Sequence, residues 1–122
     1  MAQLDNVIAD LLAIEGANGA AIVDIDSGMA LAAGGTPGFD LNVAAAGNTD
    51  VVRSKLRAME LLGIQEQIED ILITLESQYH LIRPLTARSG HGLFLYLSLD
   101  RSRANLAMAR HHLRRIEALL NV

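Results

Sequence analysis

Apolar and polar residues alternate with two different periods along this chain, and the switches between them mark out its elements. Leu4, Val7, Ile8, Leu11 and Leu12 recur at the spacing of one helix face, which predicts a helix over residues 2–15 with Gly16 as its C-terminal cap. "GAAIVDID" (19–26) is short and rich in β-branched residues and reads as a strand. "MALAAGG" (29–35) reads as its return partner. Asp26, Ser27 and Gly28 between them have the make-up of a three-residue hairpin loop ending in a left-handed glycine.

"GGTPGFD" (34–40) is a loop by its glycines and proline, and Asp40 stands where a helix N-cap belongs. A second helix is predicted over 41–62, stopped by Gly63. Leu41, Ala45, Val52, Leu56 and Met59 share one sector of it, and Ala44, Val51, Ala58 and Leu62 the adjoining one. Together they make an apolar arc of roughly 160°, wider than the ~100° stripe that one packing contact needs. Asn48 and Lys55 lie inside the arc. One sector is therefore expected to cover a sheet and the other to meet something else.

"QIEDILITLES" (67–77) alternates as a half-buried strand, with Ile71, Ile73 and Leu75 facing one way and Asp70, Thr74 and Glu76 outward. "YHLIRPL" (79–85) is a second strand, with Pro84 expected at its end or at a bulge. "TARSGHG" (86–92) is a turn. "LFLYLSL" (93–99) sets Leu93, Leu95, Leu97 and Leu99 against Phe94, Tyr96 and Ser98. Ser102 or Asp100 is expected to cap a last helix to Leu120, whose narrow stripe of Leu106, Ala109, Leu113, Ile116 and Leu120 leaves Arg103, Arg110, Arg114 and Arg115 on a solvated face. The order α-β-β-α-β-β-β-α with tight connections implies an antiparallel five-stranded sheet in an α+β chain, with at least one edge in need of cover.

Composition narrows the function classes. A chain of 122 residues reads as one domain, 1–122, and its 51% apolar content argues for a packed core. With no cysteine there is no disulfide framework, zinc knuckle or thiol nucleophile, which fits a reducing, cytoplasmic setting. "MAQLDNVIADLLAIEG" lacks the basic start of a signal peptide, and no apolar run approaches ~18 residues, so no membrane partner is expected. A net charge of −4, a pI near 5.4 and 3% aromatics argue against nucleic acid.

Candidate chemistry is sparse. Asp24 and Asp26 fit a hairpin turn better than an acidic site, since no further ligands stand near them in sequence. "GGTPG" has no lysine behind it to reach a phosphate. His111 and His112 are adjacent on a helix and point apart, and His80 and His91 read as solvated surface residues. Ser89 and His91 carry no nucleophile-elbow signature. No catalytic residue, metal ligand or cofactor is assigned.

Four stretches taken in order carry a resemblance. They are "GANGAAIVDIDSGMALAAGG" (17–35 and its lead-in), the long second helix, "ILITLESQYHLIRPL" (71–85) and "ANLAMARHHL" (104–113). Together the chain resembles the Roadblock/dynein light chain domain, in the style of its bacterial members. The resemblance implies a longin-like or profilin-like fold with strand order 2-1-5-4-3. It implies a homodimer in which third strands pair and second helices meet, and a non-catalytic regulator or scaffold for a Ras-like small GTPase. Interface residues on that reading are Ala44, Asn48, Val51, Val52, Lys55, Leu56 and Met59 of the helix, with Ile71, Leu72, Ile73 and Thr74 of the strand. Lys55 is expected at the seam's rim, because an unpaired buried lysine is costly. A small-ligand sensor on a similar scaffold is the alternative reading, and it would need an internal pocket.

Overall fold

A computed structural model describes residues 2–86 and 92–120. Its elements are α1 (Ala2–Leu12), β1 (Ala17–Asp24), β2 (Ala30–Gly35), α2 (Leu41–Leu61), β3 (Ile71–Thr74), β4 (Gln78–Pro84), β5 (Leu93–Asp100) and α3 (Leu106–Leu119). The five strands form one sheet in the order β2-β1-β5-β4-β3, antiparallel at every pairing. This is the expected α+β architecture and strand order.

The alternation along β5 divides the molecule in two. Leu95, Leu97 and Leu99 join Ala20, Ile22 and Leu81 on one face, where α1 contributes Leu4, Val7, Ile8 and Leu11, and α3 contributes Ala109 and Leu113. Each fully buried leucine or isoleucine here is worth about 1.5–3 kcal/mol of transfer free energy. The opposite face carries Ala21, Val23, Ile82, Phe94 and Tyr96 under Ala45 and Val52 of α2. The helix-bearing sides approach closely where side chains are absent: a Cβ on Gly34 would fall 2.8 Å from Ile8 Cγ2 on α1.

Several boundaries differ from those read off the sequence. α1 stops at Leu12, three residues early, because Ile14 N–H bonds the Leu11 carbonyl at 3.1 Å and tightens the chain toward Gly16. The first hairpin loop holds four residues, 25–28, closed by Asp24 N–H to the Met29 carbonyl at 2.9 Å. Asp24 draws the turn in: its carboxylate accepts from Ser27 N–H at 3.2 Å and from the Ser27 hydroxyl at 2.6 Å. Gly28 takes the left-handed position expected of it, at φ 73°. The register slips once between Ile22 and Val23, a bulge that leaves Leu31 unpaired.

α3 is capped by neither Ser102 nor Asp100. Asn105 accepts from Met108 N–H at 3.1 Å, while Asp100 shapes the turn after β5 by accepting from Ser102 N–H and hydroxyl at 3.1 and 2.9 Å. Arg110 is not simply solvated, and Asp70 does not face outward. The guanidinium forks onto both Asp70 oxygens at 2.9 and 3.0 Å, tying α3 to the lead-in of β3. Arg83 on β4 meets Glu117 of α3 at 2.6 Å. Pro84 ends β4 as expected, pairing with Phe94.

Candidate interface beside the second helix

The second helix is held at its start by Asp40, whose carboxylate accepts from Asn42 N–H at 2.8 Å and Val43 N–H at 3.4 Å. It lies over β1 and β2. Its buried residues are Ala45, Thr49, Val52 and Met59, and Thr49 satisfies its hydroxyl by donating to the Ala45 carbonyl at 2.7 Å. Small residues at the contact let the helix sit close to the sheet.

Over the other strands of this face α2 leaves a groove of about 300 Å³ lined by Phe39, Asp40, Val43, Ala44, Asn48, His80 and Tyr96. Val43 is 69% exposed and Val51 38%, while Ile71 and Ile73 on β3 reach only the margin of the cluster below. Beside the groove runs the sheet's β3 edge. Its register against β4 is regular from Ile71↔Ile82 to Thr74↔Tyr79. The opposite edge, β2, is interrupted by its bulge and by Gly35 at φ 97°. Bulges and twists blunt an edge, and a regular edge invites pairing.

The interface residues named from the sequence separate into three groups. Ala44, Asn48, Val51 and Lys55 fall on one helix stripe beside the groove; Asn48 donates to the Ala44 carbonyl at 2.8 Å, and Lys55 is exposed. Leu56 is 41% exposed, whereas Val52 and Met59 are buried within the chain's own packing. On β3, Ile71 and Ile73 belong to the α2 side, but Leu72 packs toward α1 and α3, and Thr74 is exposed.

Sequence reasoning missed the polar chain on the groove floor. His80 is half-buried, not on a wet surface. Its Nε2 lies 2.9 Å from Gln78 Oε1, and the neutral tautomer that satisfies this acceptor carries its proton on Nε2. Its Nδ1 accepts from the Tyr96 hydroxyl at 3.3 Å. Phe39 and Tyr96 flank the ring, with centroids 5.7 and 5.5 Å away. Burial pushes His80 below its ordinary value, and it pushes the Tyr96 hydroxyl up to about 12. The available signal was the alternation of β5, which places Tyr96 on the face opposite its leucines.

Elsewhere the candidate chemistry is taken up by local structure. The Ser27 hydroxyl bonded to Asp24 holds that carboxyl below its usual range. Ser89 and His91 lie outside the described residues. Among the described residues no three histidine, aspartate or glutamate side chains gather to hold a metal, and no helix is long and apolar enough to cross a membrane.

No protein-family model and no curated protein matches this sequence. Solved structures match it in shape. MglB from Myxococcus xanthus superposes with a TM-score of 0.82 at 15% identity, over 96% of this chain and 84% of its own. A gliding protein, MglB from Thermus thermophilus, gives 0.77 at 19% identity, over 95% and 84%. A Roadblock/LC7 domain from Streptomyces avermitilis gives 0.78 at 15% identity, over 93% and 91%. At these identities the likeness is one of fold: the chain has the Roadblock/LC7 fold.

Proposed function

We propose that this Roadblock-fold chain is a non-catalytic, homodimeric regulator or scaffold that binds a Ras-like small GTPase and acts in the cytoplasm. The observation that carries the reading is the stripe of Ala44, Asn48, Val51 and Lys55 left open beside the regular β3 edge, on a fold shared with MglB. In the proposed dimer two β3 strands pair across a twofold axis and two α2 helices close the grooves, as the resemblance to the Roadblock family implies. Such an isologous seam presents the same patch from both copies. Lys55 keeps its charge at the rim, and Ile71 and Ile73 gain the cover they lack. A stable seam needs about 1,200–2,000 Å² of total burial.

The small GTPase partner follows from the family resemblance, not from any pocket. The groove suits a helix better than a small molecule, since it is open along α2 and its polar groups already bond one another.

The test has two parts. Sedimentation at micromolar concentration is expected to give a dimer. Affinity isolation from the native cell with mass spectrometry is expected to return a small GTPase whose nucleotide turnover or localisation changes on binding. A monomer at these concentrations removes the dimer. A dimer that returns no GTPase removes the partner and leaves the assembly standing.

A further inference from the structure

The groove that a second copy is proposed to close has a titratable side chain, His80, on its floor. We propose that His80 is a proton switch in the seam: the dimer forms with the ring neutral, and protonation opens it. This rests on the homodimer reading above and says how that contact is regulated.

Geometry carries the argument. The Tyr96 hydroxyl donates to Nδ1 of His80, and Nε2–H donates to Gln78 Oε1, so the neutral ring has both nitrogens satisfied. A second proton must go on Nδ1, where it meets the hydroxyl that was donating to it. Tyr96 then has to turn and accept, and the bond it made to the ring as a donor is lost. Tyr96, raised to about 12, does not escape the conflict by ionising.

Among the described residues no carboxylate is hydrogen-bonded to the His80 ring. From β5 the ring faces neutral Tyr96 and, in register, the neutral hydroxyl residue Ser98, and on β3 it is in register with apolar Ile73. On its own strand the neighbour is neutral Gln78. The α2 side brings Asn48 and, two turns on, the cation of Lys55. The one carboxylate lining the groove among the described residues, Asp40, accepts through Oδ1 from the N–H groups of Asn42 and Val43, which holds it to the start of α2. The stripe a second copy would lay on this floor, Ala44, Asn48, Val51 and Lys55, adds no carboxylate. Covering the groove removes what water still reaches the ring, and burial of a charge without a partner is costly.

The direction follows from linkage. His80 already sits below its ordinary 6.5 in one copy, and further burial lowers it again. The open state then binds more protons than the closed one, so association is strongest above about pH 6.5 and weakens as pH falls below it. One proton per copy gives two per dimer, so the dissociation constant rises by up to about a hundredfold per pH unit between the two pKa values.

The experiment is sedimentation equilibrium on the full chain between pH 7.5 and 4.5, with circular dichroism to follow the fold. The wild-type dissociation constant is expected to rise at least about tenfold, His80→Gln to change less than about twofold, and the double variant His111→Gln, His112→Gln on α3 to behave as wild type. A wild-type dimer with a pH-independent constant overturns the switch alone. So does full pH dependence retained in His80→Gln. A monomer at pH 7.5 overturns the dimer and the switch together. If His80→Gln fails to fold, proton NMR of the wild-type His80 ring decides: a lower pKa at concentrations above the dissociation constant than below it supports the switch, and equal values overturn it.

Discussion

The two faces of this sheet are made by the same five strands but carry different numbers of helices. Five strands spaced about 4.8 Å apart present a surface roughly 19 Å across between the outer strand axes. A helix with side chains is about 10 Å wide. Two helices, α1 and α3, therefore close one face, and its leucines are buried. One helix cannot close the other. α2 takes the β1–β2 side and leaves Tyr96, His80, Ile71 and Ile73 at or beside a groove. The second face therefore keeps an open surface, and a regular edge runs beside it.

The difference can be broken most forcefully from the closed side. Leu113→Ala opens a cavity where α3 meets the sheet and is expected to cost about 2–5 kcal/mol in urea unfolding. Val51→Ala on the open side is expected to change the unfolding free energy of an isolated copy by under about 0.5 kcal/mol. Equal losses at the two sites would mean that α2 is packed as fully as α3.

The open side is expected to respond in association instead. Val51→Asp sets a charge in the proposed seam and should weaken the dimer by about a hundredfold or more, roughly 2.7 kcal/mol, while single-copy stability stays near wild type. Unchanged sedimentation would place the seam elsewhere. The smallest effect comes from the strap between α3 and β3. Arg110→Ala breaks a forked bond to Asp70 but removes a guanidinium that is 35% exposed, so about 1 kcal/mol is expected by chemical unfolding. A loss above about 3 kcal/mol would mean that this pair, and not the leucine layer, holds α3 in place.

The layout of strands and helices was legible because periods of two and of about 3.6 residues are written locally. The width of the apolar arc on α2 was legible for the same reason. What a helical wheel does not contain is where the helix runs relative to its sheet. It groups Val52, Leu56 and Met59 in one sector, yet Leu56 is exposed between two buried neighbours. The groove floor was hidden for a related reason. Phe39, His80 and Tyr96 come from a loop and two strands, and only the β4–β5 register and the lie of the loop bring them together. Asp70 and Arg110 stand 40 residues apart, so no local pattern links them. The helix cap was misplaced because Asp100, Ser102 and Asn105 are all good capping residues within six positions, and the choice among them rests on which one the sheet leaves free.

The central claim is that a second copy covers the β3 edge and the groove beside α2, and amide hydrogen exchange across a dilution series tests it most directly. The account predicts that β3 amides and those of the open α2 stripe gain protection as concentration rises, while the amides of β2 do not. Protection of β3 and α2 that ignores concentration, or a gain shared equally by β2, would contradict it.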